Sequence, residues 1–324
     1  MSELSLGTGN FGTRWGHGAD KDEARAMYDL YREAGGNFVD TGSNYQAGEA
    51  EEHLSDFLAA DRDDVVLATK YTMGTSASSG LQLTGNGRKA MVQSLEQSLR
   101  RLGTDRVDVF WAHVADGSTP VEEVMRAFDD LTRAGKILYA GLSNFPAWRV
   151  SAGATLAQQQ GWAPLVGIQV EYSLVQREAE RELVPMADAF GLGVLGYTPL
   201  GGGLLTGKYR RGETGRAQSA ISQFLHTEDD PAKVKVLDAL ESAAAELGTT
   251  ADQVAIRWSM SKGVLPVVGP RTVEQLTTNL AAAELDVPPR LLARLDEVSA
   301  PELGHPHGLW PEHELVDKAR LARP

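Results

Sequence analysis

The sequence of 324 residues contains no cysteine. This absence excludes disulfide bonds, thiol chemistry and zinc sites built on cysteine, and it is typical of a cytoplasmic protein. No stretch reaches the roughly 18 consecutive apolar residues that a membrane span needs, so we expect no membrane partner. The first residues, MSELSLGTGNFG, lack a basic segment followed by an apolar core. We therefore expect no signal peptide and a cytoplasmic location.

Basic side chains are outnumbered in this sequence. It holds 31 lysines and arginines against 44 aspartates and glutamates, which gives a formal net charge of −13. An acidic surface repels phosphate backbones, and the longest basic cluster is Lys208 with Arg210 and Arg211, so we expect no nucleic-acid partner. Hydrophobic residues make up 42% of the chain, which is enough to bury a core in one large domain or two ordinary ones.

Eight short apolar runs alternate with segments of helical periodicity along the chain. The runs predict β-strands near 4–7, 37–40, 65–69, 107–111, 136–141, 165–170, 193–197 and 264–268. Strands that alternate with helices form parallel sheets covered by those helices. Eight such units in 324 residues predict an α/β fold, a single-domain (β/α)8 TIM barrel over residues 1–324. A two-domain doubly wound fold is the alternative.

Several helix boundaries are marked by specific residues. Asp20 and Glu23 predict a capping box, and Thr119, Pro120 and Glu122 predict an N-cap, a first-turn proline and an acid at the third position. Further helices are predicted over 88–102, 232–247, 251–261, 272–285 and 288–299. The glycine-rich segment at about 198–231 has no sustained period, which is typical of a functional loop. We expect the tail at about 300–324 to reach back over the barrel mouth.

Polar residues close the predicted strands, and this is where barrel enzymes carry their chemistry. These residues are Asp40, Lys70, His113, Ser143 with Asn144, Gln169, Tyr197 with Thr198, and Gly269 with Arg271. Asp40, Lys70 and His113 form an acid–base group with Tyr45. An ammonium lowers the pKa of a nearby phenol, a carboxylate keeps that ammonium charged, and an imidazole can bond the same substrate oxygen. The group suits protonation of a carbonyl oxygen while a hydride reaches the carbon, although an ion pair, a core histidine and a loop tyrosine are the structural alternatives.

The order of these motifs resembles that of the aldo-keto reductase family. The similarity runs from about Leu4 to about Asp296. It rests on GGNFVDTGSNYQAGEAEEHL, ATK at 68–70, RVDVFWAHVADGSTPVEEVMRAFDDLTRAGKILYAGLSNF, IQVEYSLVQRE, GYTPLGGGLLTGKY and VVGPRTVEQLTTNL. The resemblance implies a barrel enzyme that reversibly reduces an aldehyde or ketone to the alcohol. The hydride would come from NADPH and the proton from Tyr45.

The resemblance also implies a role for each matching residue. Tyr45 would be the general acid, tuned by Lys70 and Asp40, and His113 would orient the carbonyl. The implied cofactor-binding residues are Gly9, Asn10, Asp40, Ser143, Asn144, Gln169, Tyr197, Thr198, Pro199, Leu200, Gly201, Gly203, Leu204, Lys208, Gly269, Arg271, Gln275 and Asn279. The loop that begins at 198 would cover the pyrophosphate, and Arg271 would bind the 2′-phosphate, which favours NADP over NAD.

Some positions depart from the commoner family pattern. Gln46 stands where many members have glycine after the tyrosine. Asp116 lies three residues after His113, which is close to the family's spacing of two or three residues. The segment 71–86 is longer than minimal members require, and we expect it to shape access for the substrate. Aromatic residues expected near the mouth suggest an apolar or sugar-like carbonyl compound; they are Trp15, Tyr71, Trp111 and Trp310.

Three other motifs match parts of known binding-site patterns, and each lacks a feature that its pattern requires. GTGNFG at 7–12 matches a dinucleotide-binding fingerprint, but eight residues separate it from the next helical pattern. The segment 202–208 matches most of a P-loop, but Tyr209 follows in place of the serine or threonine that binds magnesium. His305 and His307 lack an acidic or cysteine partner at ligand spacing, so we expect no metal.

Two other functions are open on the same barrel. Lys70 could be the nucleophile of a Schiff-base aldolase or lyase, but Asp40 beside it opposes the depressed pKa that this chemistry needs. A non-enzymatic, cofactor-binding regulatory subunit is the second alternative, and the intact four-residue acid–base group argues against it. We expect a small-molecule carbonyl substrate as partner and a monomer or small homo-oligomer.

Overall fold

The computed structural model describes residues 2–76, 79–80, 82–213, 227–228 and 230–309. Three of the predicted features lie partly outside these described residues. They are the segment 71–86 at residues 77, 78 and 81, the glycine-rich segment at residues 214–226 and 229, and the tail at residues 310–324, which include Trp310.

Eight parallel strands close into one barrel in chain order. They are β1 (Ser5–Gly7), β2 (Phe38–Asp40), β3 (Val66–Tyr71), β4 (Val107–Ala112), β5 (Ile137–Ser143), β6 (Leu165–Glu171), β7 (Gly193–Tyr197) and β8 (Leu265–Val268). Each strand pairs with the next, and β8 pairs with β1 through Ser5↔Val267 and Leu6↔Val268. The predicted single-domain (β/α)8 barrel is therefore confirmed.

Helices follow the strands and cover the outside of the barrel. In the described part of the chain they are α1 (Lys21–Glu33), α2 (Glu49–Leu58), α3 (Arg88–Leu102), α4 (Val121–Arg133), α5 (Ala147–Gln160), α6 (Leu183–Phe190), α7 (Pro231–Leu247), α8 (Ala251–Ser261), α9 (Val273–Ala281) and α10 (Pro289–Val298). The predicted helix over 272–285 is split, because a 3₁₀ turn at Ala282–Glu284 follows α9. None of the helices described here is long and apolar enough to cross a bilayer.

The predicted N-caps of α1 and α4 have different outcomes in the structure. Asp20 caps α1 as predicted, because its carboxylate accepts the Glu23 N–H at 3.0 Å. The predicted N-cap at Thr119 is wrong, since α4 begins at Val121 with Pro120 in the cap position. The Thr119 hydroxyl and N–H both bind the Asp116 carboxylate at 2.7 Å instead. The Thr119 hydroxyl is therefore hydrogen-bonded to Asp116 and does not cap α4.

The apolar core has two layers. The larger layer lies between the strands and the surrounding helices. A smaller cluster fills the inside of the barrel; its buried members are Phe38, Ala68, Val109, Trp111, Leu195 and Val267. The Trp111 indole is accommodated because Gly141 on the neighbouring β5 has no side chain: a Cβ there would lie 2.1 Å from Cζ3 of the indole. The interior is therefore packed, and the space for a ligand is at the rim.

Candidate active site

The carboxyl ends of the strands bring the predicted polar residues to one rim. Asp40 is the last residue of β2, Lys70 is the second-to-last residue of β3, and His113 directly follows β4. The rim continues with Ser143 at the end of β5 and Tyr197 at the end of β7. Since all eight strands are parallel, these side chains share one face of the barrel.

Asp40 and Lys70 form an ion pair inside the protein. Lys70 Nζ donates to Asp40 Oδ2 at 2.5 Å and to the Thr41 carbonyl at 2.8 Å. The other carboxylate oxygen, Oδ1, accepts from Gln169 Nε2 at 3.0 Å. Both charged side chains are buried. Burial lowers the pKa of Lys70, but the Asp40 carboxylate and the Tyr45 phenol outweigh it, so the net pKa is raised and the amine is an ammonium.

Tyr45 lies against this ion pair. It begins a tight 3₁₀ turn at Tyr45–Gly48 that connects β2 to α2. The Lys70 ammonium lies 4.7 Å from the centre of the Tyr45 ring, within the range of a cation–π contact. The structure therefore brings together the phenol, the amine and the carboxylate that the sequence places at positions 45, 70 and 40.

The pKa of Tyr45 is shifted upward. Burial raises the pKa of the phenol, the Lys70 ammonium opposes that rise, and the Asp40 carboxylate adds to it. The expectation of a lowered phenol pKa is wrong in its net direction, because it considered the ammonium and left out burial. A phenol with a raised pKa holds its proton at neutral pH, which is the protonation state that a proton donor requires.

His113 completes the group from the next strand. Its imidazole meets the Tyr45 ring edge to face, with the ring centres 5.9 Å apart. Burial, with a contribution from the Lys70 ammonium, lowers the pKa of His113 to about 3. Its Nδ1 is buried and has no hydrogen-bond partner among the described residues. The imidazole is therefore neutral at neutral pH and can donate one hydrogen bond without competing for a proton.

A cluster of amides and hydroxyls lies beside the acid–base group. Asn144 has a left-handed backbone with φ of +55°, and its side-chain Nδ2 donates to the His113 carbonyl at 2.9 Å and to Ser143 Oγ at 3.1 Å. Its Oδ1 accepts from the Tyr197 hydroxyl at 2.9 Å. Gln169 donates through its side chain to Asp40, and its backbone carbonyl accepts the Asn144 N–H at 3.2 Å. Of the side chains predicted to hold a carboxamide, Ser143 and Asn144 are thus hydrogen-bonded to each other, and Gln169 is bonded to Asp40.

The loop after β7 has an unusual run of backbone conformations. Three consecutive glycines, Gly201, Gly202 and Gly203, have φ of +55°, +66° and +100° within a 3₁₀ turn that ends at Thr206. Residues with side chains rarely adopt this conformation. Ahead of these glycines are Thr198, whose hydroxyl donates to Glu171 Oε1 at 3.2 Å, and then Pro199 and Leu200. Leu204 is buried, and Lys208 packs along Gly203, where an added Cβ would lie 3.0 Å from Lys208 Nζ.

The end of β8 lies next to the β1 loop. Asn10 Nδ2 donates to the carbonyl of Gly269 at 2.7 Å and so joins the two segments; Gly9 precedes it, and a Cβ on Gly9 would lie 3.9 Å from the Tyr45 ring. The Arg271 N–H donates to Gln275 Oε1 at 2.9 Å. Asn279 is buried one turn further along α9. Asn10 and Gly269 are therefore joined beside Tyr45, and Arg271 is joined to Gln275 at the start of α9.

Comparisons with known proteins agree with this geometry. A model described as the aldo/keto reductase family matches residues 3–300. The chain is 32% identical to the NADP(+) aryl-alcohol dehydrogenase of Phanerodontia chrysosporium, over 98% of this chain and 89% of that protein. It is 31% identical to the putative aryl-alcohol dehydrogenase AAD14 of Saccharomyces cerevisiae, over 98% and 88%, and 33% identical to the norsolorinic acid reductase of Aspergillus flavus, over 94% and 80%. The chain belongs to the aldo/keto reductase family.

The match to the family confirms the resemblance seen in the motifs. It also identifies the protein as an oxidoreductase of a family that reduces carbonyl compounds. The secondary structure distinguishes between the interpretations of the two glycine motifs. The first glycine motif is the end of β1 and its loop, and among the described residues that precede Lys21 no helix begins. The second motif begins in the 3₁₀ turn Gly201–Thr206, where Gly202 and Gly203 are left-handed, and no long helix follows it directly as in a P-loop. Nothing in these findings supports an aldolase or a regulatory subunit.

Two aromatic residues are not where the sequence placed them. Tyr71 lies in the outer core layer, stacked on Phe110 with ring centres 5.2 Å apart, and its hydroxyl donates to the Asn86 carbonyl. Trp111 lies inside the barrel, 1% exposed, below the mouth. The alternation of strand side chains could have indicated the first error, because Lys70 faces inward and its neighbour must face outward. Trp15 does lie at the mouth, with its indole 6.4 Å from the Tyr45 ring.

Sequence reasoning also missed contacts that hold the site together. The Thr41 carbonyl accepts from Lys70, and no motif indicates this. Gln46 appeared only as a departure from the family pattern, whereas its side chain is buried and fully hydrogen-bonded. His307 Nε2 lies 3.3 Å from Glu182 Oε1, and no group of three side chains that could hold a metal ion occurs among the residues described.

Proposed function

We propose that this aldo/keto reductase reduces an aromatic aldehyde or ketone to the alcohol with NADPH, and that Tyr45 supplies the proton. The observation that carries the proposal is the contact of the Lys70 ammonium with the Tyr45 ring, beside Asp40 and His113. A buried ion pair adds little to stability, because desolvation cancels much of the attraction. Its presence beside a phenol and a neutral imidazole at a barrel rim therefore favours a catalytic role.

Each member of the group has a distinct role in proton transfer. The phenol of Tyr45 keeps its proton until the carbonyl oxygen gains negative charge, and then donates it. Lys70 stabilises the phenolate that is left, and Asp40 keeps Lys70 charged and in position. The neutral imidazole of His113 donates a hydrogen bond to the carbonyl oxygen and orients it. Water then returns a proton to Tyr45.

The rim residues fit a dinucleotide. Left-handed glycines at 201–203 leave no side chain between the backbone and a phosphate, so their amides can approach it closely. Ser143, Asn144 and Gln169 offer the donors and acceptors that a carboxamide requires, and Tyr197 beside them offers an aromatic face. When bound, the reduced nicotinamide supplies the hydride. Its ring would need to be near Tyr45, and this amide cluster lies next to that residue.

Preference for NADP over NAD rests on Arg271. Its guanidinium forms no ion pair with a carboxylate among the described residues, although the chain carries an excess of acids. A planar guanidinium can bond a phosphate at two points. The relative from Phanerodontia chrysosporium is named as an NADP(+) enzyme, which supports the same preference here. Cytoplasmic location and a monomer or small homo-oligomer remain predictions.

An aromatic substrate is supported by the side chains near Tyr45. Trp15 is 45% exposed and lies edge-on to the tyrosine ring at 77°. Met73 is equally exposed, and its sulfur lies 4.0 Å from Asn44 Nδ2, one residue before Tyr45. Exposed apolar groups of this kind at a rim offer contact to a flat ring. Relatives named aryl-alcohol dehydrogenases support the same class.

A direct assay tests the proposal. Purified protein is mixed with NADPH and, separately, with benzaldehyde, acetophenone, propanal and a keto-sugar, and loss of NADPH is followed by absorbance. We expect benzaldehyde to give the highest kcat/KM and benzyl alcohol with NADP⁺ to run the reverse reaction. If none of the carbonyl compounds consumes NADPH, the proposed activity is wrong. If propanal or the keto-sugar exceeds benzaldehyde, the aromatic preference alone is wrong.

A further inference from the structure

Gln46, the residue after the tyrosine, has a backbone that an L side chain rarely adopts. Its φ and ψ are +48° and +39°, and Ala47 follows with +56° and +35°. Glycine adopts this conformation without strain, whereas other residues are strained there. Gln46 is nonetheless fully buried. Gln46 lies next to the proton donor, its backbone is strained, and its amide is buried. This combination indicates that the amide has a functional role.

All hydrogen bonds of the Gln46 amide go to one loop. Its Nε2 donates to the carbonyls of Gly9 at 3.2 Å and His17 at 3.1 Å. Its Oε1 accepts the backbone N–H of Trp15 at 2.9 Å. These three partners all lie in the segment between β1 and α1, which we call the β1–α1 loop, residues 8–20. The side chain therefore joins the tyrosine turn to that loop.

The β1–α1 loop is shaped to receive this amide. Gly18 has φ of +126°, and a Cβ there would lie 3.1 Å from Gln46 Nε2 and 2.1 Å from the Gly12 carbonyl. A second anchor comes from α2, where the Glu49 carboxylate accepts the N–H groups of Thr13 at 2.7 Å and Arg14 at 3.0 Å. Gln46 and Glu49, one and four residues after Tyr45, therefore hold the loop on both sides of Trp15.

Trp15 is the residue that these anchors hold in place. Its indole stands edge-on to the Tyr45 ring and forms an exposed wall beside the phenol. We propose that Gln46 is a positioning residue that fixes Trp15 beside Tyr45 and thereby sets the preference for aromatic over small aliphatic carbonyl compounds. This inference rests on the proposed carbonyl reductase activity. Gln46 itself does not touch the reacting atoms; it acts through the backbone of the loop.

Replacing the amide tests the inference without straining the fold. Gln46→Gly suits the left-handed backbone but removes all three side-chain hydrogen bonds. We expect the ratio of kcat/KM for benzaldehyde to that for propanal to fall roughly tenfold, mainly through a higher KM for benzaldehyde. Ala47→Gly is the matched control, because it relieves a left-handed residue in the same turn and removes no side-chain hydrogen bond. Its ratio should equal that of the wild type.

Two further measurements make the result decisive. Trp15→Ala should lower the ratio by a similar factor, and combining it with Gln46→Gly should add nothing, because both act through the same wall. Hydrogen exchange at the Trp15 backbone N–H should be faster in Gln46→Gly and unchanged in Ala47→Gly. An unchanged ratio in an active Gln46→Gly protein, or unchanged exchange at Trp15, overturns the inference. A wild type that reduces no carbonyl compound contradicts the proposed function instead, and the exchange result still reports on the anchor.

Discussion

The Lys70 ammonium lies 4.7 Å from the centre of the Tyr45 ring. This contact links the two residues in charge as well as in space, because an ammonium over a ring stabilises the phenolate and the phenolate in turn stabilises the ammonium. Burial acts in the opposite direction on both groups by disfavouring charge. The balance leaves a protonated phenol beside a charged amine, and the predictions below test parts of that balance.

Tyr45→Phe should remove the proton donor and leave the rest of the site in place. We expect kcat for benzaldehyde reduction to fall by about 10²–10⁴, the usual size of a general-acid contribution. The dissociation constant for NADPH, measured by quenching of protein fluorescence, should stay close to that of the wild type because the phenol does not hold the dinucleotide. Tyr139→Phe is the control, since Tyr139 is exposed near the start of β5. A Tyr45→Phe protein with nearly full activity would contradict the assignment.

Arg271→Ala should weaken binding of NADPH far more than binding of NADH. Hydrogen bonds to charged groups contribute about 1.5–3 kcal/mol, so we expect the dissociation constant for NADPH to rise roughly 10- to 100-fold. Calorimetric titration of both cofactors measures the difference. Arg290→Ala is a suitable control, because that arginine pairs with Glu246 on the surface. If the affinities for NADPH and NADH fell by the same factor, Arg271 would not be the residue that binds the 2′-phosphate.

The Asp40–Lys70 pair should show strong coupling in stability. Lys70→Met leaves a buried carboxylate without its cation, which we expect to cost about 3–5 kcal/mol in urea unfolding. The double variant Asp40→Asn with Lys70→Met should lose less than the sum of the two single variants, because neither charge is then left alone. The exposed pair Arg25 and Asp29 on α1 serves for comparison and should couple by less than about 1 kcal/mol. Additive losses at positions 40 and 70 would show that the pair does not act as a unit.

His113 should make stability depend on pH in a defined direction. Its pKa is about 3 in the folded protein, whereas an unfolded histidine has a pKa of about 6.5. Between these values the unfolded state binds a proton that the native state does not, so stability is complete above about pH 6.5 and falls as pH drops toward 3. Urea unfolding from about pH 7 to pH 4 should show a smaller decrease in His113→Asn than in the wild type. An imidazole NMR signal of His113 that titrates near pH 6.5 would refute the neutral assignment.

Local patterns were sufficient to predict the barrel and most of its rim. Each apolar run became a strand because a buried parallel strand needs a continuous apolar segment, which is visible within a few residues. Asp40, Lys70 and His113 were found because they close such runs. Their meeting follows from one topological rule, that parallel strands in a barrel share their carboxyl ends.

Contacts between distant segments could not be read in the same way. Gln46 binds Trp15, 31 residues earlier, and the spacing of the two carries no periodic signal. The helix cap expected at Thr119 failed because Asp116 competes for the same atoms. The direction of the Tyr45 pKa depends on burial, which is known only once the chain is folded. These are properties of packing, and composition or periodicity does not specify them.

The indole of Trp111 and the bare backbone of Gly141 occupy the barrel interior as complementary shapes. A methyl group at 141 has nowhere to go while the indole is present, whereas a smaller residue at 111 leaves only a cavity, which a core can tolerate at a cost. Substitutions in this layer can therefore accumulate in one order alone. Trp111 must first be replaced by a smaller residue, and only then can Gly141 be replaced by a residue with a side chain.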